Sequence, residues 1–144
     1  MSKDDRLIYL VFTAQQKLRT HLKNAMADAG VSITPAQSAI LFLLKRRDGQ
    51  TMSGLSQELS IDNSTLTGLV DRLERSGFVK RNASTADRRA SHVTITNSGN
   101  DEIERAKAVI RRVNDRIRED FTDEEVESFK KILKSFFVRF GAAS

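Results

Sequence analysis

The chain has 144 residues, 39% of them apolar and 30% charged, which is enough to bury one core without help from a metal or a cross-link. It contains no cysteine, which excludes disulfides, thiolate metal sites and thiol-based redox sensing. A formal charge of +5 points to an anionic partner, while a single Pro and 6% aromatic residues argue for helices over a many-stranded sandwich or barrel.

Behind the opening Met-Ser-Lys-Asp-Asp-Arg there is no apolar run like a signal segment. No stretch reaches the ~18 apolar residues of a spanning helix, so a soluble, cytoplasmic protein with no membrane partner is expected. Leu7, Val11, Ala14, Leu18, Leu22, Ala25 and Ala29 recur at steps of three and four, predicting a first helix over 4–29 that Gly30 stops. Ile8 and Phe12 widen its apolar face beyond what one neighbouring helix covers. Two readings stay open there, plain core packing and a second chain.

Thr34-Pro35-Ala36-Gln37 reads as a capping box, with Pro35 at a position where no N–H is missed, and opens a second helix that ends by Gly49. Its body, Ala39-Ile40-Leu41-Phe42-Leu43-Leu44, is apolar all round and predicts burial on most sides. Lys45, Arg46 and Arg47 suit the negative end of its dipole. Two short helical patterns follow between Thr51 and Ser76 with almost no spacer, Leu55 and Leu59 in one, Leu66, Leu69, Val70 and Leu73 in the other. This is helix-turn-helix spacing, with Asp62 as the cap of the second helix and Gly77 as its end.

Phe78-Val79-Lys80-Arg81 and Ser91-His92-Val93-Thr94-Ile95-Thr96 read as the strands of a β-hairpin whose tip, Asn82 to Ala90, is long and charged. Over residues 78–92, Lys80, Arg81, Arg88 and Arg89 face the single acid Asp87, a surplus of three positive charges that a solvated patch seldom carries. Ile103, Ala106, Ile110, Val113 and Ile117 then predict a helix of about 22 residues with a heptad-like seam. Thr122-Asp123-Glu124-Glu125 is another capping box, opening a last helix with Phe129, Leu133, Phe136 and Phe140 on one face and Gly141 at its end. The expectation is one mainly α domain over 1–144, in which 35–96 forms a winged helix-turn-helix lobe with a small β-hairpin, flanked by helices at 4–30 and 97–141.

A helix-turn-helix followed at once by a basic hairpin can read double-stranded DNA, one helix entering the major groove while the hairpin reaches the backbone or the minor groove. With Leu66, Leu69, Val70 and Leu73 turned inward, Asn63, Ser64, Thr65, Thr67, Gly68, Asp71, Arg72 and Arg75 remain outside. Hydroxyl and amide groups suit base edges, Gly68 lets a groove wall approach, and Arg72 is placed for phosphate. The competing reading of Asn63, Ser64 and Thr65 is local, since such side chains favour first turns anyway.

His21 and His92 are far apart and have no Cys or paired acids at ligand spacing, so no metal is expected. No Gly-rich phosphate loop, nucleophile elbow or acid/base pair is present, so neither an enzyme nor a cofactor is expected. Asp123, Glu124, Glu125 and Glu127 read as first-turn acids. The alternative function is a winged-helix protein-interaction module without specific DNA binding, its basic wing meeting an acidic partner.

Asp87-Arg88-Arg89-Ala90-Ser91-His92-Val93-Thr94-Ile95-Thr96 resembles the wing of the MarR family of bacterial regulators, Asp-x-Arg separated by five residues from an aliphatic residue and Thr. Leu69 to Val79 looks like that family's exit from recognition helix into wing, and Thr34-Pro35-Ala36-Gln37 like the start of its second helix. The resemblance, which spans essentially the whole chain, implies a sequence-specific, ligand-responsive repressor. In it Arg89, with Arg88 beside it, enters the minor groove, and Asp87 shapes the wing by pairing with a neighbouring arginine. It also implies a homodimer formed by the segments 4–30 and 97–141, with recognition helices ~34 Å apart on a near-palindromic operator. A small aromatic or phenolic anionic effector is implied between the dimerisation helices and the DNA-binding lobe, with Phe12, Lys17 and His21 as candidate contacts beside their plain reading as helix surface. The family's cysteine-based peroxide sensors are excluded, because this chain has no cysteine.

Overall fold

The computed structural model describes residues 6–83 and 91–141. In chain order these form α1 (Leu7–Asp28), α2 (Pro35–Arg46), β1 (Gln50–Thr51), α3 (Met52–Leu59), α4 (Asn63–Arg75), β2 (Val79–Ala83), β3 (Ser91–Ile95), α5 (Asn97–Arg118) and α6 (Asp123–Arg139). The chain divides into two compact units, 1–109 and 110–144. Among the described residues, no helix is long and apolar enough to cross a membrane.

The helices of the first unit start and stop on local chemistry. Thr34 and Gln37 form the expected capping box, each side chain accepting from the other's backbone N–H at 3.2 and 2.9 Å. At the end of α1, Gly30 takes φ 78°, while the Val31 N–H reaches the Met26 carbonyl and the Gly30 N–H the Ala27 carbonyl. This left-handed closure satisfies carbonyls that the helix leaves unpaired, and Gly77, at φ 82°, closes α4 in the same way.

The hairpin predicted from the sequence is part of a three-stranded antiparallel sheet of order β1-β3-β2. β2 and β3 pair from Val79 opposite Ile95 to Ala83 opposite Ser91, and Gln50 and Thr51 add a short edge opposite Val93 and His92. Asp48 holds that edge in place, its Oδ1 accepting from the Gly49 and Ile95 N–H groups, each at 3.0 Å. A two-residue strand has no periodicity of its own, which is why the sequence pattern did not disclose it.

The core of this unit gathers Ile40, Leu41 and Leu44 of α2, Leu55 of α3, Leu66, Val70 and Leu73 of α4, Val79 and Val93 of the sheet, and Ile103 and Ala106 of α5, all 1% exposed or less. Each aliphatic side chain of this size stabilises the fold by roughly 1.5–3 kcal/mol relative to exposure. The second helix departs from expectation: it buries one side only, with Phe42 42% exposed and Leu43 half-buried. The reason is its neighbour, since the Lys107 ammonium of α5, not an apolar side chain, lies 5.4 Å from the centre of the Phe42 ring. Lys45 and Glu104 form an ion pair between the same two helices.

Of α1 only Met26 is buried. Leu7, Ile8, Tyr9, Leu10, Val11 and Phe12 are all at least 47% exposed, so packing within this chain does not account for the apolar face read from the sequence. In the second unit, Thr122 and Glu125 form the expected capping box of α6, and Arg118 pairs with Asp123 at 3.4 Å. α6 buries none of its residues: Phe129, Ile132, Phe137 and Val138 are all more than half exposed, as is Phe140 at its C-terminal cap. The seam predicted for α5 is buried at Ile103, Ala106 and Val113 and opens at Ile117.

Candidate nucleic-acid interface

The helix-turn-helix is α3 and α4 joined by the three residues Ser60, Ile61 and Asp62. The turn is tight because Ser60 adopts a left-handed conformation, φ 53°, a region that costs any residue with a Cβ. The Ser56 hydroxyl supports it by donating to the Ile61 carbonyl at 2.6 Å. Asp62 then caps α4, accepting from the Thr65 N–H at 2.8 Å and the Ser64 hydroxyl at 2.9 Å. These bonds, the Thr65 N–H foremost, hold its carboxyl below the ordinary aspartate range, so the cap carries a full negative charge at neutral pH.

α4 divides as its sequence predicted. Leu66, Leu69, Val70 and Leu73 are buried, Asn63, Ser64, Thr65, Thr67, Arg72 and Arg75 are exposed, and Gly68 and Asp71 are half-buried. Arg72 and Arg75 make no ion pair among the described residues, so both guanidinium groups face outward as uncompensated charge. The Thr67 hydroxyl donates to the Asn63 carbonyl one turn back, at 2.8 Å. A Cβ added at Gly68 would meet nothing within 4 Å, and the residue has ordinary helical geometry. Among the described residues, no contact requires glycine there.

The root of the wing is fastened to α4 through Arg81. Its guanidinium pairs with Asp71 and, at 3.3 Å, with Glu74, and its backbone N–H donates to the Glu74 carboxylate at 3.2 Å. This corrects the charge count made on the sequence, in which Arg81 stood among the free basic groups of the hairpin. Its compensating acids lie ten and seven residues earlier on another element, and only the fold brings them near. Thr96 supplies a second fastening, donating from Oγ1 to the Gly77 carbonyl at 2.6 Å and accepting from the Gly99 N–H at 3.0 Å. On one sheet face the cross-strand pairs Lys80 with Thr94 and Asn82 with His92 set polar groups side by side, and Asn82 donates to Thr94 at 3.2 Å. Asp87, Arg88 and Arg89 lie outside the described residues.

Phe12, Lys17 and His21 are all exposed on α1. Lys17 and His21 are one turn apart on the same side, whereas nine residues separate Phe12 from His21 and turn them to opposite sides of the helix. Their places on α1 therefore do not bring the three together.

The MarR family's sequence pattern matches residues 33–91, from the residue before the α2 cap to the first residue of β3. Over that segment the chain is similar to the MarR family. Among its relatives, the HTH-type transcriptional repressor MdtR of Bacillus subtilis is 29% identical over 111 residues, which cover 77% of this chain and 70% of MdtR. A probable transcriptional regulator from Pseudomonas aeruginosa superposes with a TM-score of 0.83 at 26% identity, over 92% of this chain and 98% of the other. A mutant MarR from E. coli, solved in complex with operator DNA, matches with a TM-score of 0.82 at 25% identity, again over 92% and 98% of the two chains. The likeness to these structures gives its three-stranded sheet and α3–α4 pair the winged helix-turn-helix architecture read from the sequence.

Proposed function

We propose that this chain is a MarR-family transcriptional regulator, a cytoplasmic, homodimeric repressor that binds a near-palindromic operator in double-stranded DNA and responds to a small ligand. The observation that carries the reading is the outer face of α4, polar along its length and ending in Arg72 and Arg75, which have no ion-pair partner among the described residues, in a chain whose fold matches a MarR complexed with operator DNA. In this reading Asn63, Ser64, Thr65, Thr67 and Gly68 meet base edges, and Arg72 and Arg75 meet phosphates or guanine. Arg88 and Arg89 enter the adjacent minor groove from the wing, with Asp87 shaping it.

The uncovered apolar faces of α1 and α6 support a second copy as the partner, since exposure of this extent is uncommon on a monomer. Two copies set the recognition helices ~34 Å apart, one turn of DNA. A small aromatic or phenolic anion would find cationic or donor groups at Lys17 and His21, while Phe12, facing the other way, would reach it only from another protomer.

A salt titration of binding to duplexes selected from a random pool tests the proposal. A steep fall in affinity with salt is expected, and a shallower one after Arg88 and Arg89 are both changed to Ala. Absence of binding to every duplex at low salt, with an acidic protein bound instead, would favour a protein-interaction module and end the DNA reading.

A further inference from the structure

We infer that Ser64 and Thr67 meet the bases as hydrogen-bond acceptors, so that the operator presents amino groups, adenine N6 or cytosine N4, opposite this face of α4. The inference rests on the reading above that α4 enters the major groove.

A hydroxyl carries one proton and two acceptor positions. In Ser64 the proton is committed to the Asp62 carboxylate at 2.9 Å, and in Thr67 to the Asn63 carbonyl at 2.8 Å. Asp62 is ionised and can only accept, so the bond it draws from Ser64 is charge-assisted and the stronger of the two kinds. Turning either hydroxyl round to donate to a base would forfeit the bond inside the helix. What remains available to a ligand is lone pairs.

The two residues are three apart, hence neighbours on one helical face, and both are exposed. Gly68 follows Thr67 and leaves open the space a side chain would fill, so a base edge can come up to the Thr67 oxygen. In the major groove the only base-edge hydrogen-bond donors are the amino groups of adenine and cytosine. Guanine N7 and O6 and thymine O4 are acceptors and would meet these hydroxyls lone pair to lone pair. Further along the helix Arg72 and Arg75 have the opposite polarity, being donors only. The side of α4 that carries Ser64 and Thr67 therefore presents acceptors at those two positions and donors further along at Arg72 and Arg75, which fixes the orientation of the half-site beneath it.

The test starts from an operator selected from random duplexes. Each adenine of a half-site is replaced in turn by purine, which lacks the 6-amino group, and each cytosine by its analogue without the 4-amino group. Wild-type protein is expected to lose about tenfold in affinity at one or two such positions. Thr67→Val, which keeps the side-chain shape and removes the acceptor, should bind the normal and the amino-less duplex equally at one of them, and Thr67→Ser should restore the difference. The inference is overturned if wild-type protein binds every amino-less duplex as tightly as the selected one, or if the loss persists in both Thr67→Val and Ser64→Ala. A failure to select any duplex is a different result, which overturns the DNA reading itself and this inference with it.

Discussion

Glu102 of α5 and Ser32, in the link between α1 and α2, meet across seventy residues of sequence: the carboxylate accepts from the Ser32 N–H at 3.3 Å and from its hydroxyl at 3.0 Å. Glu102 is 3% exposed and also pairs with Arg105 at 3.0 Å. Burial pushes its carboxyl up, but the bonds from Arg105 and Ser32 outweigh that and hold it below the ordinary glutamate value. A group whose folded-state pKa is depressed stabilises the fold above its unfolded value, about 4.3, and loses that contribution as pH falls through the folded value. Glu102→Gln is therefore expected to cost about 1.5–3 kcal/mol at neutral pH and to flatten the acid limb of stability. Urea unfolding measured from about pH 6 down to about pH 3 checks both. An acid limb as steep in the variant as in the wild type would remove Glu102 from the account.

Gly99 sits where the first turn of α5 crosses the root of the wing. A Cβ there would collide with the Phe78 carbonyl oxygen and stand 2.8 Å from Ile95 Cγ1. The obstacle is backbone, already committed to the Thr96 N–H at 3.0 Å, so it cannot simply swing away. Gly99→Ala should destabilise the protein by about 1–3 kcal/mol, the usual cost of overpacking, although alanine is the better helix former. An increase in the urea midpoint would contradict this.

Much of this architecture is legible in sequence because its signals are local. Thr34 and Gln37, Thr122 and Glu125, and Asp62 and Thr65 are each three residues apart, so the chemistry that opens α2, α6 and α4 lies within a single turn. The two faces of α4 follow from periodicity for the same reason. What sequence leaves hidden depends on contacts between distant elements: Arg81 counts as a free cation until Asp71 and Glu74 are seen beside it, and Gln50 and Thr51 become a strand only because Val93 and His92 lie alongside. Periodicity identifies an apolar face on α1 and α6 but not what covers it. For the candidate site, the exposed residues of α4 were readable, whereas the direction of the Ser64 and Thr67 hydroxyls was not.

Gly68 carries a cost with no return inside the chain. Glycine in a helix interior is about 1 kcal/mol less favourable than alanine, and here alanine would meet no obstacle. Gly68→Ala is thus expected to raise stability by roughly 0.5–1 kcal/mol while weakening operator binding, because the added methyl stands between the helix and the groove. Thermal unfolding and a binding isotherm on the same preparation separate the two effects. If the variant gains stability and keeps its affinity, close approach at Gly68 is not needed.

Arg75 and Arg81 are both basic and near one another in sequence, yet they should answer differently to salt. Arg75 has no ion-pair partner among the described residues, so as a phosphate contact it releases counterions on binding. Arg75→Ala should lower the slope of log affinity against log salt by about 1. Arg81 is held by Asp71 and Glu74, and its removal exposes two acids on the helix proposed to meet DNA. Arg81→Gln is expected to weaken binding with little change of slope, at a stability cost of no more than about 1 kcal/mol, since the pair is partly exposed. Neutralising the acids in the same protein, with Asp71→Asn and Glu74→Gln, should then recover affinity. A slope that drops in Arg81→Gln as it does in Arg75→Ala, with no recovery on neutralisation, would mean that Arg81 leaves its acids to contact phosphate and that the wing is positioned by Thr96 alone.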